Sequence, residues 1–131
     1  MSGQACITVD DVLLRGWPLP QAAKDGDKER RGRVLVLAGS REMPGAAALA
    51  GIAALRAGAG KLVIATPESA APTLVAALPE ARVIALPEAA DGGPALAGLE
   101  ALQAIAGATA ALVAGPGMIG EASTLAFVRA L

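Results

Sequence analysis

Val34-Leu35-Val36-Leu37-Ala38-Gly39-Ser40-Arg41-Glu42-Met43-Pro44-Gly45-Ala46-Ala47 decides the fold of this chain. An unbroken apolar run that short suits a strand buried on both faces. A glycine-bounded loop follows, and an alanine-rich segment then runs on to Gly58-Ala59-Gly60. Strand, loop and helix are the natural reading. The first N–H groups of a helix have no acceptor inside it, so such a loop offers backbone donors to an anionic group such as a phosphate. Ala114-Gly115-Pro116-Gly117-Met118-Ile119-Gly120 has the same form and also follows an apolar run. Two such loops after two strands predict a ligand crevice at one edge of a parallel sheet.

Working outward, strands are expected over residues 34–38, 61–66, 82–86 and 110–114. Helices are expected over 45–59 and 72–78, over a segment carrying Leu96, Leu99, Leu102 and Ile105 on one face and ended by Gly107, and from 123 to 131 with Leu125, Val128 and Leu131 on one side. The helix over 45–59 is apolar almost all round, which predicts cover on more than one side. Near the start, Thr8 is placed to cap a short helix over 9–14, which Pro18 and Pro20 prevent from continuing. Strands alternating with helices give the α/β class, a parallel sheet with right-handed crossovers.

The totals bound the function. With 131 residues, 54% hydrophobic and 18% charged, the chain makes one core and is not disordered. Aromatics are only 2%, so alanine, valine and leucine must fill the interior. A formal net charge of -1 and the lack of an aromatic platform argue against a nucleic-acid partner. Cys6 is the only cysteine and there is no histidine. An intrachain disulfide, a Cys/His metal site and a Ser-His-Asp or Cys-His catalytic unit are thereby excluded from this chain. No metal ligand set and no catalytic residue is assigned. Met1-Ser2-Gly3-Gln4 lacks the basic start of a signal peptide, and the apolar segments are too short for a bilayer. A cytoplasmic protein without a membrane partner is expected.

Residues 1–32 read as a lead-in and 33–131 as the start of an α/β domain. The mixed charges of residues 24–33 read as a solvated connector, with Lys28 and Arg33 as the candidate ligand contacts within it. Nothing in the pattern covers the final helix or the sheet edge beside it. Cover from another copy, or from a C-terminal half that completes the fold, is expected.

The run from Gly32 to Ser40, then Met43-Pro44-Gly45-Ala46-Ala47, then Leu55-Arg56-Ala57-Gly58-Ala59-Gly60-Lys61-Leu62-Val63, Leu78-Pro79-Glu80 and Gly115-Pro116-Gly117 closely resembles the ADP/ATP-dependent NAD(P)H-hydrate dehydratases. The resemblance extends from about Lys28 to the end of the sequence. It implies the N-terminal half of a three-layer, ribokinase-like α/β fold with about four strands. In that family a nucleoside di- or triphosphate phosphorylates the hydroxyl of the hydrated nicotinamide ring, phosphate leaves, and NAD(P)H is restored. The resemblance implies NAD(P)H hydrate and an adenine nucleotide (ADP or ATP with Mg2+) as ligands, with Gly45, Ala46, Gly115 and Gly117 against the substrate. A side chain larger than methyl at Ala46 would then hold the ligand off the helix terminus, and Gly115 and Gly117 would reach positive φ at low cost.

The family's histidine-containing Thr-Pro-His-Pro-Gly-Glu-like stretch and its Gly-Thr-Gly-Asp motif, whose aspartate is the general base, have no counterpart in this sequence. Glu29 also stands where the family commonly has glycine. Without that aspartate nothing here deprotonates the attacking hydroxyl, so this polypeptide alone is expected to show no turnover. Other functions remain open. Gly58-Ala59-Gly60-Lys61 is not a P-loop, since Leu62 stands where Ser or Thr is needed. The first loop is not Gly-x-Gly-x-x-Gly, which disfavours a dehydrogenase. A ribokinase-superfamily small-molecule kinase shares the fold, and a non-catalytic binding or assembly module would use the uncovered edge.

Overall fold

The computed structural model describes residues 7–18 and 31–131. Cys6, Lys28, Glu29 and most of the charged connector lie outside the described residues. The strands are β1 (Arg33–Leu37), β2 (Lys61–Pro67), β3 (Arg82–Leu86) and β4 (Ala111–Ala114). The helices are α1 (Asp11–Arg15), α2 (Pro44–Arg56), α3 (Ala71–Ala77), α4 (Leu99–Ala106) and α5 (Glu121–Ala130).

The strands form one parallel sheet in the order β3-β2-β1-β4. Its register follows from the apolar pattern. Leu35 pairs with Val63 and Leu112, and Leu37 with Ala65 and Ala114. On that face Leu35, Leu37, Val63, Ala65 and Leu86 pack with Leu102 of α4 and Phe127 of α5. On the other face Val36, Ala38, Leu62 and Ile64 pack with Ala47 of α2, Leu74 of α3 and Leu78. Both faces of β1 and β2 are therefore dry, which is why those strands read as continuous apolar runs. Each fully buried leucine or isoleucine contributes about 1.5–3 kcal/mol.

Small residues set the distance of α2 from the sheet. A Cβ added at Gly51 would lie 3.0 Å from Ile64 Cδ1, 3.1 Å from Leu78 Cδ1 and 3.2 Å from Leu62 Cδ2. The helix is nonetheless covered on one side only: Ala47 and Gly51 are buried, whereas Leu49 is 70% exposed. Its all-round apolar character therefore does not mark burial on several sides, because alanine serves as helix former as well as filler.

Several boundaries differ from the sequence expectation. Asp10, not Thr8, caps α1: its Oδ1 accepts from the Leu13 N–H at 2.9 Å, so the helix starts at Asp11. The segment after β3 opens with a 3-10 turn, Leu96–Gly98, leaving Leu96 exposed and off the α4 face. Gly107 ends α4 in the right-handed region, at φ -61, without the left-handed turn. In α5 the buried residue is Phe127, while Leu125 and Val128 face outward. The core selects the aromatic ring, and the leucine–valine stripe is left uncovered. Among the described residues no helix is long and apolar enough to cross a membrane.

Candidate functional site

The sheet order creates the site. β1 is flanked by β2 on one side and β4 on the other. The loop leaving β1 leads to α2 on one face, and the loop leaving β4 leads to α5 on the opposite face. The two connections diverge from the carboxyl ends of β1 and β4, the place of the expected crevice. That is the topological switch point, where open α/β sheets bind ligands.

Both glycine loops meet there. The Gly39 N–H donates to Pro116 O at 2.8 Å, and the Gly115 N–H donates to Leu37 O at 3.1 Å. Gly39, Gly115 and Gly117 all have positive φ, at +84, +118 and +67. The conformation expected of Gly115 and Gly117 is thus present, and side chains rarely adopt it. The Gly39 and Met43 N–H groups are satisfied within and between the loops, the latter by Ser40 O at 3.2 Å, so neither is a spare donor. At α2 no side chain caps the helix and Pro44 occupies the first turn. The N-terminus of α5, which follows Gly120, likewise has no side-chain cap.

The glycines divide into two kinds. A Cβ added at Gly45 or Gly115 would meet nothing within 4 Å. A Cβ added at Gly117 would lie 2.5 Å from Ala46 Cβ and 3.1 Å from Met43 O, and one at Gly39 would lie 2.9 Å from Thr66 Oγ1. A Cβ therefore has room at Gly45 and Gly115, whereas Gly39 and Gly117 are required by neighbouring protein atoms. The expected effect of enlarging Ala46 changes accordingly. A larger side chain strikes the second glycine loop itself, before any ligand is considered.

Arg33, held as a candidate contact from the sequence, begins β1 and lies at the opposite end of the sheet from the glycine loops, in a cleft with Lys61 and Arg82. It does not reach the crevice.

Sequence reasoning missed the third wall. Asp91-Gly92-Gly93-Pro94 is a turn in which Asp91 Oδ1 accepts from the Gly93 N–H at 2.9 Å. It packs against the second glycine loop: a Cβ at Gly93 would lie 2.6 Å from Ile119 O, and one at Gly120 would lie 2.8 Å from Asp91 Oδ2. It also meets the first loop, since the Arg41 N–H donates to Gly92 O at 2.9 Å. The Asp-Gly-Gly-Pro composition signals a turn, but nothing local says which loops it will touch.

Glu88, just beyond β3, pairs with Arg41 and accepts from the Ser69 N–H at 3.3 Å. Hydrogen bonding from Ser69 holds its carboxyl below the usual range, aided by Arg41, while partial burial pulls the other way. Ser40 Oγ and Thr66 Oγ1 are buried and have no hydrogen-bond partner among the described residues. Each costs about 1–3 kcal/mol unless a polar group or water reaches it. Both lie at the crevice end of the sheet. Among the described residues no group of three or more His, Cys, Asp or Glu side chains could hold a metal ion. The backbone amides and hydroxyls at this end can donate to anionic oxygen atoms.

The family profile described as NAD(P)H-hydrate dehydratase matches residues 34–131. The ADP-dependent (S)-NAD(P)H-hydrate dehydratase of Xanthomonas campestris pv. campestris is 50% identical over 129 residues, covering 98% of this chain and 44% of that protein. The crystal structure of the Bacillus subtilis ADP/ATP-dependent NAD(P)H-hydrate dehydratase, co-crystallised with ATP/Mg2+, superposes with a TM-score of 0.65 at 36% identity, covering 86% of this chain and 38% of that one. A ribokinase-like superfamily protein from Enterococcus faecalis gives a TM-score of 0.68 at 23% identity, covering 85% of this chain and 36% of its own, a likeness of fold. The chain thus spans less than half the length of these relatives. Its order of glycine loops, its ribokinase-like half-sheet and the profile match together establish that it belongs to the NAD(P)H-hydrate dehydratase family.

Proposed function

We propose that this chain is the dinucleotide-binding half of an ADP/ATP-dependent dehydratase that repairs hydrated NAD(P)H. The observation that supports it is the meeting of the two glycine loops at the β1/β4 switch point, in a chain of this family. Gly45 and Gly115, with open space beside them, are the positions where backbone comes nearest the ligand. Gly117 and Ala46 keep the two loops in register, and their backbone lines the same crevice. The uncapped N-termini of α2 and α5 supply the positive ends of two helix dipoles for the dinucleotide phosphates, with the Gly45 N–H as the donor at α2, since Pro44 has none and the Ala46 N–H donates to Met43 O at 3.3 Å.

The adenine nucleotide and Mg2+ belong to the proposal in a limited way. The described residues provide no cage for Mg2+, so the ion would arrive on the nucleotide phosphates. When bound, the nucleotide supplies the phosphoryl group that turns the hydrate's hydroxyl into a leaving group. This chain's own residues bind and orient the dinucleotide. No carboxylate among the described residues is assigned as general base.

Completion of the fold is part of the same proposal. β4 is an edge strand with Leu112 39% and Val113 38% exposed. Beside it a groove of about 420 Å³ is lined by Met118, Glu121, Thr124, Leu125 and Val128. We assign residues 33–131 to half a domain and 1–32 to a lead-in. The open strand edge and apolar helix face are covered by further polypeptide of the relatives' length, or by a second copy. A cytoplasmic location, where such a repair enzyme would meet its nucleotides, goes with this function.

The test is calorimetric titration of the chain with NADH hydrate and with ADP, followed by a turnover assay reading recovery of NADH absorbance in the presence of ADP or ATP and Mg2+. Binding of the hydrate without turnover is expected. Absence of hydrate binding overturns the ligand assignment, and turnover by the pure chain overturns the half-pocket. A kinase of the same superfamily would instead consume ATP on a hydroxylated small molecule without restoring NADH absorbance.

A further inference from the structure

Arg41 stands in the middle of the first glycine loop and is held at both ends. Its N–H donates to Gly92 O at 2.9 Å. Gly92 sits directly over its side chain, so close that a Cβ there would be 3.0 Å from Arg41 Cβ and 3.6 Å from the guanidinium carbon. The guanidinium pairs with Glu88, whose side chain is 8% exposed against 55% for Arg41. The same carboxylate accepts from the Ser69 N–H. Arg41 follows β1, Ser69 follows β2 and Glu88 follows β3. One nearly buried carboxylate therefore ties together the loops that leave three neighbouring parallel strands. Both donors compensate its negative charge, and removing the Arg41 cation leaves it short of a partner.

We propose that Arg41 and Glu88 are a positioning pair: they fix the conformation of the loop from Gly39 to Gly45, so that Gly45 and the first turn of α2 face the crevice between β1 and β4. Neither residue needs to touch the ligand. What the crevice binds rests on the function proposed above, but the positioning itself is measured without any ligand. An exposed surface ion pair would not have this effect, because such pairs contribute little and hold nothing in place. This pair differs in that its carboxylate is largely enclosed and its arginine backbone is locked by a second loop.

The experiment is amide hydrogen exchange on the whole chain, comparing wild type with Arg41→Gln, Arg41→Lys and Glu88→Gln, and pairing each variant with a titration of NADH hydrate. Arg41→Gln and Glu88→Gln should each speed exchange of the amides of residues 39–46 by about tenfold, between the effects of an exposed and a buried pair. The amides of β1 and β2 should keep their protection, and Arg41→Lys, which retains the cation, should recover most of the loop's protection. Unchanged loop exchange in both neutral variants overturns the proposal. So does equal loss of protection in β1 and β2, which would mean that the pair supports the whole fold. So does failure of lysine to rescue, which would remove the ionic basis. Weaker binding of NADH hydrate by Arg41→Gln with unchanged loop exchange would make Arg41 a ligand contact and equally overturn it. Failure of every protein, wild type included, to bind NADH hydrate would count against the proposed function while leaving the exchange result to decide this one.

Discussion

Gly117 and Ala46 face each other across the two glycine loops so closely that a Cβ at residue 117 would lie 2.5 Å from the Cβ of Ala46. The loops follow β1 and β4, which are neighbours in the sheet although far apart in the chain. Contact at this point makes the loops one structure. Gly117→Ala is expected to cost about 1–3 kcal/mol in urea denaturation, combining overpacking with a positive φ. Ala46→Leu should destabilise similarly by pushing the loops apart. Full stability in both variants would show that the loops do not meet.

Gly45 provides the contrasting experiment. A Cβ there meets nothing within 4 Å, and the residue lies in the first turn of α2. Gly45→Ala should keep stability or raise it by up to about 1 kcal/mol, through the lower entropy of the unfolded chain. If backbone at this position lies against the ligand, affinity for NADH hydrate should nevertheless fall about tenfold, the equivalent of one lost hydrogen bond. Stability from denaturant melts and affinity from calorimetry should thus move in opposite directions. Unchanged affinity removes Gly45 from the site.

Glu88 sets an acid limit. Its carboxyl is held below the ordinary value of 4.5 by hydrogen bonding from Ser69 and by Arg41, against the effect of partial burial. A carboxyl lowered in the folded state binds fewer protons there than in the unfolded chain, so it stabilises at pH above 4.5. That contribution is lost as pH falls from 4.5 through the lowered folded value. The urea midpoint of wild type should decline through this window, and Glu88→Gln should show a shallower decline. Identical slopes would mean that Glu88 does not contribute.

Gly93 tests the third wall. A Cβ at this position would lie 2.6 Å from Ile119 O, a backbone atom that cannot swing aside. Gly93→Ala should cost about 1–3 kcal/mol and loosen the second glycine loop. Faster amide exchange over residues 115–120, with β1 and β2 still protected, is the expected signature.

The apolar face of α5 predicts association. Leu125 is 47% exposed and Val128 49% exposed, on the helix beside the open edge of β4. The chain alone should self-associate at high concentration by light scattering. Leu125→Lys with Val128→Glu should shift it toward the monomer while changing stability by no more than about 0.5 kcal/mol. A wild-type chain that stays monomeric at every concentration would show that the face needs no cover.

Local pattern is enough to place the strands, their alternation with helices and the two glycine loops. Val34 to Ala38 is apolar throughout since β1 is buried on both faces, and Gly39, Gly115 and Gly117 are glycines since each takes a positive φ. Helix ends were less legible: Asp10 and Thr8 are both good caps, and only the packed backbone selects Asp10. Likewise the leucine period from 96 to 105 could not show that its first turn is 3-10. Tertiary structure alone decided the sheet order, and with it the convergence of the loops, the clash-limited fit of Ala46 against Gly117 and the clasp of Arg41 on Glu88. The physical reason is range: dihedral preference and hydrophobic period act within a few residues. Which loops share a wall depends on strand neighbours separated by most of the chain.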